Sequence, residues 1–285
     1  MSVRTLQRVV RSIETSDGAG VSLRRSLGQN PALRFDPFLM LDEFASDDPD
    51  DYIAGFPDHP HRGFETVTYM LEGHMLHRDH LGNRGDLRGG GAQWMCAGRG
   101  VIHSEMPQQE QGRLHGFQLW VNLPAREKMK PAAYRDIQPE EIPTRALPGG
   151  GEVRVLAGVV GAGDERVEGP VPVGATELLY LDVRLPAGAH FSQAVPAHHN
   201  AFLYVYDGQV EIGTPAGRPL ASHEAGLLSA GERIEVRAAG EGGRFLLLAG
   251  RPLGEPIVAY GPFVMNTREE IEQAIADYQS GRLTG

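Results

Sequence analysis

Two stretches of this chain repeat one another, and that repeat limits the fold more than any other feature. Tyr69-Met70-Leu71-Glu72-Gly73 matches Tyr204-Val205-Tyr206-Asp207-Gly208, an aromatic-led run closed each time by an acid and a glycine. Cys96-Ala97-Gly98-Arg99-Gly100-Val101-Ile102-His103 matches Ser229-Ala230-Gly231-Glu232-Arg233-Ile234-Glu235-Val236. The two offsets differ by only two residues, so one alignment of two similar halves accommodates both. Between the halves, Pro139, Pro143, Pro148 and Gly149-Gly150-Gly151 predict a linker. Two domains are therefore expected, residues 1–140 and 150–285, joined near residue 145.

Each half is built from short apolar runs bounded by Gly, Pro, Asp or Asn. Thr66 to Leu71, Gly116 to Leu123, Leu178 to Val183, Phe202 to Tyr206 and Phe245 to Ala249 are the clearest. Their length, their Val, Tyr and Leu content and the regular turn signals predict an all-β chain, two β-barrels in tandem. Only one helix is expected. It starts at Thr267, where Thr267 and Glu270 make a capping-box pair, and runs to about Gln279 before Gly281.

Charge and composition narrow the function. The net charge of −10 excludes direct nucleic-acid binding, which needs a concentrated basic patch. Arg24-Arg25 and Arg126-Glu127-Lys128-Met129-Lys130 read as solvated surface. No apolar stretch approaches the roughly 20 residues of a membrane span, and the N-terminus has no apolar signal region. The single cysteine, Cys96, precludes an intrachain disulfide. The expected compartment is the cytoplasm, with the nucleus added for a eukaryotic source.

The chemistry concentrates in two arms. In a strand, residues two apart share a face. His59-Pro60-His61 can thus aim two imidazoles at one point, and His103-Ser104-Glu105 can add a third imidazole and a carboxylate. Imidazole suits Fe, Cu, Ni and Zn, and a carboxylate with open positions points toward non-heme Fe(II) oxygen chemistry. Several divalent ions fit such a site, Mn and Co included. One His-x-His alone is more often ordinary surface; two such arms on strand-like segments favour a mononuclear transition-metal site at His59, His61, His103 and Glu105. The repeat provides an internal control. The positions matching these four hold Ala194, Pro196, Val236 and Ala238, so the second half keeps the frame and lacks the ligands.

Other residues carry less. His74, His77 and His80, with Asp79, could make a surface metal site but read as solvated loop residues. Glu65 is expected on the ligand-facing side of the same strand as His61, as a reserve ligand or an outer partner. Gln118 reads as a cavity or structural amide and Cys96 as a small core residue. Gly89-Gly90-Gly91 lacks the context of a phosphate loop. His198 and His199 are adjacent, so on a strand they would face opposite ways.

The segments His59 to Tyr69, Gly98 to Met106, His115 to Pro124 and Tyr260 to Thr267 resemble the pirin family, a bicupin branch of the cupin superfamily. The resemblance covers nearly the whole chain. It implies two jelly-roll type cupin barrels, with iron held in the first by the residues matching His59, His61, His103 and Glu105, and a metal-free second barrel. It departs from the wider cupin pattern, in which the acid matching Glu65 is the ligand. The implied activity is that of a quercetin 2,3-dioxygenase, which opens a flavonol ring with O2 and releases carbon monoxide. Glu105 would then serve as catalytic base toward a small aromatic substrate. The resemblance also implies an alternative, an iron-containing regulatory module that binds a transcription factor or a metabolic enzyme.

Overall fold

In a computed structural model of the chain, residues 2–213 and 217–285 are described. Strands take 55% of the chain and helices 9%, as the all-β expectation requires. No helix among the described residues is long and apolar enough to cross a membrane. The chain divides into two units, and neither is a continuous half.

The first barrel unit comprises Glu14–Gly28, Phe38–Glu140 and Leu253–Gly285. Its larger sheet runs, in spatial order, Ala133–Ile137, Ala92–Cys96, Phe64–Glu72, Leu114–Asn122, Phe38–Ser46, Val21–Leu27 and Ile13–Asp17. A second sheet runs Phe56–His61, Val101–Pro107, His74–Asp79 and Arg84–Arg88. Apolar side chains from both sheets, among them Phe44, Met70 and Leu114 with Met75 and Leu87, close into one buried cluster. Burying such side chains is worth roughly 1.5–3 kcal/mol each.

The second unit comprises Met1–Ile13, Gln29–Pro37 and Glu141–Pro252. The long strands Asn200–Ile212 and Arg233–Gly250 pair along most of their length, with register shifts at Val205/Asp207 and Gly208/Val210. Gly208 has φ +72°, and a Cβ there would lie 2.2 Å from the Gly242 carbonyl oxygen, so the close crossing of these two strands requires glycine. The repeat holds: Ala92–Cys96 and Val101–Pro107 flank a four-residue turn, as do Glu224–Leu228 and Arg233–Gly250. Val236 and Ala238, the counterparts of His103 and Glu105, lie in a wholly apolar core with Phe191 and Ile234.

Two organisational expectations change. The proline- and glycine-rich segment is a hairpin rather than a linker, with Thr144–Ala146 paired to Glu152–Ala157. Gly149, Gly150 and Gly151 all take positive φ, which lets the chain reverse there. The ends of the chain also exchange sides. Leu6–Arg11 pairs with Glu224–Leu228 in the second unit, while the C-terminal helix, expected in the 150–285 domain, belongs to the first.

That helix, Arg268–Gln279, has the predicted capping box: Thr267 Oγ1 accepts from the Glu270 N–H, and the Glu270 carboxylate accepts from the Thr267 N–H. Ile271 and Ala274 pack with Phe263, Met265 and Leu283, and Asp277 accepts from Arg62 Nη1 at 2.8 Å. Lys128, expected on the surface, is 1% exposed. Its Nζ donates to the Gly63 carbonyl (2.7 Å), Asn122 Oδ1 (2.6 Å) and the Val264 carbonyl (3.0 Å), tying the C-terminal segment to the ligand-bearing half.

Cys96 is fully buried, as a core residue should be. Burial, then the neighbouring Glu65, pushes its thiol up to about 12. Since the thiolate is the reactive form, the native chain should be inert to a thiol reagent at pH 8. Reaction is expected only in denaturant, as absorbance with an aromatic disulfide would record.

Candidate metal centre

The Phe56–His61 and Val101–Pro107 strands pair antiparallel, with His103 directly opposite His59 and Val101 opposite His61. Their side chains alternate, so His103 and Glu105 share the inner face, buried where Ile102, Ser104 and Met106 are only partly so. The donor atoms of His59, His61 and His103 lie within 4.8 Å of one another. Ring centroids are 4.3 Å apart for His59 and His103, 4.7 Å for His59 and His61, and 5.0 Å for His61 and His103.

Two atoms in this cluster violate the usual rule that buried polar groups find partners. His61 Nδ1 and His103 Nε2 are buried and make no hydrogen bond. Each ring is anchored on its other side. His61 donates to the Pro262 backbone carbonyl, His103 Nδ1 lies 3.4 Å from His77 Nδ1, and His59 Nδ1 is 2.8 Å from the Pro57 carbonyl. Burial, then neighbouring imidazoles, holds His61 and His103 well below the usual histidine range. Neutral rings with unsatisfied lone pairs converging on one point are the donor set that a transition-metal ion requires.

Glu105 stands beside this group rather than within it. Its carboxylate Oε2 accepts from Gln118 Nε2 at 3.1 Å, and the single hydroxyl proton of Thr68 is shared between Glu105 Oε1 (3.1 Å) and Gln118 Oε1 (2.6 Å). Gln118 is thus a cavity amide. Opposite the histidines, Phe64 and Trp120 stack at 4.2 Å, and each lies edge-on to His61. His59, Gln118 and Trp120 keep partial exposure while His61, His103 and Glu105 are buried, so the site opens to solvent on their side.

Glu65 does not face the ligands. The expected continuous strand breaks at Arg62-Gly63, where Gly63 has φ +90° and a Cβ would lie 2.0 Å from the Val264 carbonyl oxygen. The break shifts the alternation. Thr68 points into the site, whereas Glu65 accepts from Lys130 Nζ at 3.1 Å and from the Trp94 indole at 3.4 Å.

The three histidines read as loop residues separate. His74 meets Asp86, and His80 Nδ1 accepts from the Ile102 N–H at 3.3 Å. His77 is 2% exposed on the His74–Asp79 strand and belongs to the site. Asp79 Oδ2 lies 3.4 Å from His77 Nε2 and also accepts from Asn83 Nδ2 at 2.8 Å. A carboxylate oxygen only accepts, so His77 carries its proton on Nε2 and takes one from His103 Nδ1, leaving His103 Nε2 with its lone pair inward. The missed signal was spacing: His77 and Asp79 are also two apart, directly opposite Glu105 and His103.

Tyr134 stacks on His77 at 4.2 Å and 13°. Burial, then Asp136, pushes its hydroxyl above the usual tyrosine range, so it stays a neutral phenol. Gly85 makes room for it: a Cβ there would sit 1.6 Å from Tyr134 Oη. Gly85→Ala is expected to destabilise the chain by about 1–3 kcal/mol and to weaken metal affinity by roughly tenfold or more through His77. Melting temperature and competitive metal titration would record both; an unchanged affinity would separate Tyr134 from the site.

Residues 20–121 match the Pirin family, and residues 180–284 match the Pirin C-terminal cupin domain. A Pseudomonas aeruginosa protein named "Putative quercetin 2,3-dioxygenase" is 54% identical over 268 residues, covering 94% of each chain. A pirin-like protein of Caulobacter vibrioides is 51% identical, covering 99% of this chain and 100% of that one. Among solved structures, a quercetin 2,3-dioxygenase from Acinetobacter baumannii superposes with a TM-score of 0.90 at 33% identity, covering 99% of both chains. With both halves matched, this chain belongs to the pirin family, a tandem-cupin branch of the cupin superfamily.

Proposed function

We propose that this chain is a metal-dependent dioxygenase of the quercetin 2,3-dioxygenase type, which opens a flavonol with O2 and releases carbon monoxide. The observation that carries the reading is the pair of orphaned buried nitrogens, His61 Nδ1 and His103 Nε2, beside a carboxylate already held in place. Relatives at 54% and 52% identity carrying the quercetin dioxygenase name support it.

His59, His61 and His103 would hold the ion, with Glu105 as the adjoining carboxylate and Fe(II) as the first choice. A divalent metal held there would supply Lewis acidity toward a flavonol hydroxyl and electron exchange with dioxygen. Glu105 takes the proton from the substrate 3-hydroxyl, since a base must sit within hydrogen-bond reach of the proton it removes. Thr68 and Gln118 fix the carboxylate before substrate arrives, so little reorganisation is needed. Trp120, partly exposed and stacked on the buried Phe64, offers an aromatic face for a planar substrate.

Glu105→Gln keeps the shape and hydrogen bonding of the side chain while removing the base. Turnover of quercetin, followed as oxygen uptake, should fall roughly 10²–10⁴-fold with metal content retained. Wild-type turnover in that variant would eliminate Glu105 as the base. Stoichiometric metal without uptake in the parent chain would instead favour the regulatory, protein-binding module.

A further inference from the structure

The second unit carries its own convergence of metal-binding side chains. Donor atoms of Glu177, His198 and His199 all lie within 4.8 Å of one another. On a strand the two histidines would diverge, but they occupy a turn after the His190–Ala194 strand, where the His199 N–H donates to the Pro196 carbonyl at 3.0 Å. The turn brings both rings to one side, with centroids 4.7 Å apart and planes at 88°. Glu177 comes from a separate turn and has φ +51°, a conformation uncommon outside glycine. That conformation carries Glu177 Oε2 to 3.3 Å from His199 Nε2. Two ligands each about 2.1 Å from a tetrahedral or octahedral ion stand roughly 3.0–3.4 Å apart, so the Glu177–His199 pair already has the separation of two ligands on one ion.

Both turns are held from beneath. Arg4, 1% exposed, donates through Nη1 to the His199 carbonyl (2.8 Å) and through Nη2 to the Pro196 carbonyl (2.7 Å). Arg251 donates through Nη2 to the Ala175 carbonyl and through its N–H to the Thr176 carbonyl, both at 2.6 Å. Arg251 Nε lies 3.4 Å from Glu177 Oε1, which leaves Oε2 directed at the histidines. Ligands fixed in advance bind an ion without the ordering cost that flexible surface histidines carry.

We propose that Glu177, His198 and His199 form a second, solvent-facing metal site, for a borderline divalent cation of the zinc class. Two imidazoles and one carboxylate are a zinc donor set, and the exposure of Glu177 and His198, with His199 buried behind them, leaves the remaining positions to water. A bound ion would crosslink two turns that meet through the Glu177–His199 contact. The site uses no residue of the His59–His61–His103 cluster and does not depend on what that cluster does.

The test is calorimetric zinc titration of the full chain after chelator treatment, for the parent and for His198→Ala, Glu177→Gln and His61→Leu. The parent should bind two zinc ions. His198 is exposed, so its truncation spares the core; His198→Ala should lose one ion while keeping its melting temperature without zinc. Glu177→Gln should weaken that same ion at least tenfold, and His61→Leu should remove only the other. The proposal fails if His198→Ala binds zinc with the parent's stoichiometry and affinity. It fails equally if the parent binds a single ion that His61→Leu abolishes.

Discussion

His61→Leu should abolish metal binding at the His59–His61–His103 cluster and leave the metal-free protein about as stable as its parent. The two effects normally move together, because most buried polar side chains hold the fold as well as serve it. Here they come apart. His61 Nδ1 makes no hydrogen bond to the protein, and leaving a buried polar atom unsatisfied costs about 1–3 kcal/mol. Leucine removes that burden and keeps the contacts to Phe64 and Trp120. Against this, the Pro262 carbonyl keeps only its long bond from the Arg62 N–H (3.4 Å), a loss of about 1 kcal/mol. The net change in stability should therefore be within about 1 kcal/mol of zero. Bound iron should drop from near one per chain to below roughly a tenth, since losing a ligand exceeds the 10–100-fold cost of losing an outer partner. Elemental analysis, oxygen uptake on quercetin and a metal-free melting curve read the three quantities. A variant that still loads iron stoichiometrically would remove His61 from the ligand set.

Lys128→Met should produce the largest loss of stability. Methionine fills much of the same volume but leaves the Gly63 and Val264 carbonyls and Asn122 Oδ1 without their common donor. At about 1–3 kcal/mol for each unsatisfied group, offset by no longer burying an ammonium, the net cost is about 3 kcal/mol. For units of this size that corresponds to a fall in melting temperature of about 6–12 °C. Limited proteolysis should show the segment after residue 253 cut first. If the variant melts within 2 °C of the parent, by the same scaling, the ammonium is not what retains that segment.

The features legible in the sequence are those set by short-range rules. Alternation along a strand made His59 with His61, and His103 with Glu105, recognisable as pairs, and the paired strands bring the three imidazoles together. The capping box at Thr267 is a four-residue motif and was readable for the same reason. What was not legible depends on long-range partners. Lys128 sits in an apparently basic surface run, and only the distant Val264 carbonyl explains its burial. Glu65 was misplaced because a single positive-φ glycine, Gly63, resets the alternation, and the cause is the chain passing close by at Val264. His77 lay in a polar stretch whose pairing with Val101–Pro107 appears only once the sheet forms. The exchange of chain ends has no local signature at all, since Leu6–Arg11 and the helix at Arg268–Gln279 would each suit either barrel.

That exchange sets an order of events during synthesis. The unit holding His59, His61 and His103 includes Leu253–Gly285, so its native packing is incomplete while the second unit is still being translated. The second unit needs nothing made after Pro252 and can finish folding first. The His61 ring reaches its Pro262 anchor only when that residue has left the ribosome. A chain halted before residue 253 would therefore carry its three histidines without the segment that completes the packing around them.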